Sequence, residues 1–174
     1  MSMVWIATIT GATAGLKTFT NIPQNFTHLQ LRMNNRDLYV STPSYTYMRF
    51  NGDTGNTANN HWLRGDGSSA TSAANQINAN YVITVPQPGN NALANVYGAT
   101  IIDILDYTNT NKFKTARAIS GYDLNGSGFV GLYSGLWRDT SAITSIGIGS
   151  AYQEDAANFR VDLYGITSSS VTGA

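Results

Sequence analysis

The chain holds a single glutamate, Glu154, in 174 residues. Lysine, arginine, glutamine and methionine, the other strong helix formers with long side chains, are scarce too, whereas Thr, Val, Ile, Tyr and Gly are abundant. Such a chain has little with which to build helices, so its apolar pattern is read at the period of two that belongs to strands.

Short β-prone runs bounded by turn residues recur along the whole length. Residues 4–10 open the chain, and Gly11 to Gly15 read as a turn. In residues 26–33, Leu29 and Leu31 face one way and His28, Gln30 and Arg32 the other. In residues 45–50, Tyr45, Tyr47 and Arg49 oppose Thr46, Met48 and Phe50. Further runs lie at 60–63, 80–85, 97–105, 112–121, 129–137, 143–148 and 159–166. Phe113, Thr115, Arg117 and Ile119 share one face, and Phe159, Val161 and Leu163 point inward against Arg160 and Asp162. Ten short strands with frequent turns predict an all-β fold, an antiparallel two-sheet sandwich with a jelly-roll-like course. One domain over residues 1–174 is expected, with 166–174 as a short polar tail. Residues 51–59 and 65–80 lack periodicity and read as long polar connections, the places where intermolecular contacts are expected.

Charge narrows the function. Ten basic and ten acidic residues cancel, and charged residues make up 11% of the chain, against about 25% in ordinary soluble domains. Twenty Thr, 15 Ser and 18 Asn supply the polarity instead. A near-neutral surface does little to hold copies apart, which suits a subunit that packs against neighbours. Without cysteine, no disulfide or thiolate metal site is available. No apolar run approaches the ~20 residues of a spanning helix, and the first residues lack a cationic segment. The expectation is synthesis in a cytoplasm, without secretion and without membrane contact. Nucleic acid is disfavoured as well, because the densest basic cluster is Lys112, Lys114 and Arg117, which a solvated strand face explains.

Catalytic patterns are sparse. His28 and His61 are the only histidines, and no Gly-x-Ser-x-Gly occurs. Asp103 and Asp106 flank Leu105 beside a hairpin, where aspartates usually cap turns. Residues 123–128, DLNGSG, echo a calcium loop, but no bidentate acid follows, so they read as a turn. Arg64-Gly65-Asp66 matches an adhesion tripeptide but reads as a plain turn at a strand end. No enzyme, cofactor or metal is expected. Trp62, Tyr107 and Trp137 stand near loops, with Arg64 and Asp66 close by. They are the candidate contacts to a partner or sugar, although Trp62 and Trp137 also suit a core or subunit interface.

Two groups of words carry a resemblance. FNGDTG at 50–55 with HWLRGDGSS at 61–69 form one; IIDILDY at 101–107, KFKT at 112–115, SGYD at 120–123, SGLW at 134–137 and AITSI at 142–146 form the other. Over roughly Trp5 to Ile166 the chain resembles a β-sandwich module of virion structural and tail-fibre proteins in tailed bacteriophages, notably those of cyanobacteria and marine bacteria. The resemblance implies a virion protein whose partners are the major capsid protein or a tail component. It supplies no binding residues. Because the module fills the chain and leaves no shaft, a capsid-decorating (cement) homotrimer is expected. The alternative is a tail-fibre or tail-appendage module that binds a receptor or host surface glycan.

Overall fold

The computed structural model describes residues 2–150 and 154–167, and of residues 75–79 the backbone. Twelve strands and no helix occur among them. They are β1 (Ser2–Thr10), β2 (Lys17–Phe19), β3 (His28–Asn35), β4 (Ser44–Phe50), β5 (Ala58–Gly65), β6 (Ala70–Ala79), β7 (Ile83–Gln87), β8 (Gly98–Leu105), β9 (Lys114–Asp123), β10 (Gly128–Trp137), β11 (Ile146–Gly149) and β12 (Arg160–Thr167). They form an antiparallel two-sheet sandwich. The large sheet runs β1-β12-β3-β8-β9-β10-β5-β6 and the small one β2-β11-β4-β7.

The core follows from alternation. Leu29, Leu31 and Met33 of β3, Ile102 and Ile104 of β8 and Val161 and Leu163 of β12 point inward from the large sheet. Met48, Phe50, Ile83, Val85, Ile146 and Ile148 meet them from the small sheet. β7 approaches β10 so closely that a Cβ at Gly135 would stand 1.8 Å from the Val82 carbonyl oxygen, so only glycine fits there.

Four expectations are corrected. Residues 65–80 are not a long loop: Asp66 to Ser69 close a tight hairpin, and β6 then runs back along β5. Its Ala, Ser, Thr and Asn residues give no apolar alternation, which hides a strand whose existence depends on the β5 ladder. Ile166 and Thr167 belong to β12 rather than to a tail, and 168–174 lie outside the described residues. Lys114 is not on a solvated face. It is fully buried, its Nζ donating to the Lys112 and Thr140 carbonyls at 3.0 Å each, and burial holds its pKa below the usual lysine range. The connection expected at 51–59 is a loop only as far as Thr57, because Ala58 and Asn59 already belong to β5; the turn at 123–128 is as the sequence suggests. In the latter, Asp123 accepts the Asn125 amide at 2.6 Å, with Asn125 at φ 62° and Gly126 at φ 111°.

Candidate functional site

The small sheet covers one face of the large sheet and leaves the other to solvent. On that open face the ladders fix which residues stand side by side. Ile101 of β8 lies opposite Ile119 of β9, Ile119 opposite Leu132 of β10, and Leu132 opposite Leu63 of β5. Four aliphatic side chains thus form an unbroken line across four strands, where an ordinary open face would alternate to polar residues. They are 43%, 59%, 55% and 51% exposed in that order. Val130, 65% exposed, stands in the next row between Gly121 and Gly65. The sheet curves around the line to form an open trough of about 920 Å³.

Polar groups frame the trough. The aliphatic line continues through Arg32 of β3 and Asp162 of β12, and the adjacent row carries Gln30, Asp103, Arg117, Ser134 and His61. Gln30 donates to Asp103 at 2.8 Å and accepts from Arg32 at 3.0 Å. Asp162 accepts from Arg160 at 2.7 and 2.8 Å and from the Thr8 hydroxyl, and these bonds hold its carboxyl below the usual range. Opposite charges therefore neighbour one another on this face.

The arrangement offers little to bond-making chemistry. Ser134 lies opposite His61, but Asp103, the acid of that row, is on β8, three strands from β5. At about 4.8 Å per strand it is far beyond the reach needed to orient the imidazole. Asp106 sits in the β8–β9 hairpin at φ 48°, ion-paired to Lys112 and donating its amide to His28 Nδ1 at 3.0 Å. Among the described residues no three His, Asp or Glu side chains gather to hold a metal ion. The trough is thus apolar, and the charges that frame it stand in opposite-sign pairs.

Of the five candidates singled out from the sequence, Trp62 borders the trough, and Arg64, Asp66, Tyr107 and Trp137 do not. Tyr107 is fully buried, its hydroxyl donating to the Pro23 carbonyl. Trp137 is 2% exposed, with Phe50 edge-on at 5.6 Å. Both belong to the core, so neither ring is open for stacking on a sugar. Trp62 is half-buried on the inner side of β5, and the Arg64 guanidinium lies 4.4 Å over it and 4.9 Å from Phe129. Asp66 closes the β5–β6 hairpin, accepting the Ser68 and Ser69 amides at 2.9 and 2.8 Å, which holds its carboxyl far below the usual range. The structure thus brings Trp62 and Arg64 together and gives Asp66 a turn to cap. Beside them the Tyr133 hydroxyl, pushed up to about 12 by burial, and the Tyr122 hydroxyl have no hydrogen-bond partner.

Ile101, Ile119, Leu132 and Leu63 were not among those candidates. Their signal lies in strands with apolar residues on both parities, such as Ile101-Ile102 in β8 and Leu132-Tyr133 in β10. In a sheet covered on one side only, the second parity must face outward.

Fold and surface together define a β-sandwich with an apolar open face. Comparison with known proteins adds no relative: no family model, no curated protein and no solved structure matches this chain.

Proposed function

We propose that this chain is a structural subunit of a bacteriophage virion, a capsid-decorating or cement protein that acts only through non-covalent contacts. The observation that carries this is the aliphatic line of Ile101, Ile119, Leu132 and Leu63 on the open sheet face. Contiguous exposed apolar surface with a polar rim is what association surfaces look like. Completing the burial of four half-exposed aliphatic side chains contributes on the order of 1 kcal/mol each.

The occupant is a second copy of the chain, in a homotrimer. Net charge is zero, and Arg and Asp alternate along the frame, so copies meet without like-charge repulsion. With copies joined through this face, the outer loops are left to grip neighbouring virion proteins, and the head gains stability because the subunit binds only its assembled form.

The test is to add purified protein to undecorated phage heads and measure resistance to heat and low salt. Binding with increased resistance supports the proposal, and loss of both in Leu132→Lys ties it to the face. No binding to heads, with saturable binding to a host surface glycan instead, overturns it in favour of a tail appendage.

A further inference from the structure

The large sheet has two edges, and they differ. β1 carries a bulge between Trp5 and Ala7, which interrupts its ladder with β12 and twists the outer strand. The β5–β6 ladder also shifts register, between Ala58 and Asn60, but that shift lies beyond Asn75, at the far end of β6. β6 is hydrogen-bonded to β5 alone, and its ten residues, ATSAANQINA, include no charge and no proline. Residues 70–74 are exposed without alternation, so neither face is covered there and a single ladder holds the strand. From Asn75 to Ala70 that ladder is regular, pairing Asn60 through Gly65 without a shift. The regular, uncharged outer segment 70–75 presents a row of backbone donors and acceptors to any strand that can align with it.

We infer that residues 70–75 of β6 pair antiparallel with the same segment of a second copy about a two-fold axis, continuing the large sheet from one molecule into the next. Self-pairing sets each residue opposite a residue of the same short segment, so one charged side chain there would be brought close to its own duplicate. Ala70, Thr71, Ser72, Ala73 and Ala74 bring neither charge nor bulk. The aliphatic line also points to this edge. It ends at Leu63, whose β6 neighbour is Ser72, so an added copy carries its own line onto the same face beyond the two joined strands. This edge contact is separate from packing through the apolar face, and each can fail without the other.

The chain's lack of cysteine makes the test clean. Thr71→Cys, Ser72→Cys, Ala73→Cys and Ala74→Cys are made singly in the full chain, with Val4→Cys on β1 as the control, and each is oxidised mildly. Directly opposed residues of antiparallel strands have Cα atoms about 4.5–5.5 Å apart, within the range a disulfide spans. The inference expects covalent dimer as the main product at the position nearest the two-fold axis, falling away on either side. It also expects β6 amides whose hydrogen exchange slows as protein concentration rises. Leu132→Lys in the same background should leave this crosslink in place. Crosslinking at none of the four positions above the Val4→Cys level, or at Val4→Cys instead, overturns the edge pairing. Crosslinking that disappears with Leu132→Lys does so too, by assigning the contact to the face.

Discussion

Trp137 donates its indole N–H to the Asp53 carboxylate at 2.7 Å, joining the end of β10 to the connection between β4 and β5. The same carboxylate accepts the Thr57 hydroxyl at 2.5 Å and the Gly55 amide at 2.8 Å. One aspartate therefore organises a polar loop and satisfies the only hydrogen-bonding group of a core tryptophan.

Replacing Asp53 with alanine leaves the buried indole N–H without a partner, so Asp53→Ala should lose about 1–3 kcal/mol. Urea unfolding followed by tryptophan emission measures this. The bonds from Thr57 and Trp137 hold the Asp53 carboxyl below the usual carboxylate range. A depressed folded value gives stability that is present above the unfolded pKa and lost as pH falls through the folded one. The acid side of the stability curve should therefore flatten in Asp53→Asn, measured as unfolding free energy against pH.

Asp155 is fully buried, with Lys17 Nζ at 2.5 Å. Burial raises its pKa in spite of the ion pair, and Asp37, joined to it by a β-bridge, raises it further. Lys17→Met leaves the carboxylate buried and unpaired, for an expected loss of about 3–5 kcal/mol at neutral pH. Because the folded-state pKa lies above the unfolded value, protonation on acidification relieves that penalty. The deficit against the native chain should shrink as pH falls through the raised pKa, which paired pH titrations of stability would reveal.

Gly135→Ala tests the approach of the two sheets. Its added Cβ would stand 1.8 Å from the Val82 carbonyl oxygen, so backbone must move. Overpacking of this kind costs about 1–3 kcal/mol. The exposed neighbour Ser134→Ala should change the melting temperature little, and equal effects at the two positions would contradict the packing described.

How far these features could be read beforehand depended on whether alternation carried them. β3, β4 and β12 each bury one parity against the small or large sheet, so Leu29, Met48 and Val161 could be assigned inward from sequence alone. β6 escaped because its small residues gain almost nothing from either face and are strand only through β5. Lys114 read as a solvated cation because its acceptors, the Lys112 and Thr140 carbonyls, converge only in the folded chain. The aliphatic line was hidden for another reason: residues of both parities in β8 and β10 are apolar, and only the one-sided cover of the small sheet decides which parity is left outside. Tyr107 and Trp137 sit near loops in sequence, yet their rings turn inward to Pro23 and Asp53.

The open face of the large sheet is proposed as an association surface. Sedimentation equilibrium of the native chain against Ile119→Lys/Leu132→Lys tests it most directly. Both residues are more than half exposed, so the substitutions should leave unfolding stability within about 0.5 kcal/mol of the native chain. The native mass should be a multiple of the monomer and should fall when the face is charged. A native chain that is monomeric at every concentration, or an oligomer whose mass the two lysines leave unchanged, would contradict it.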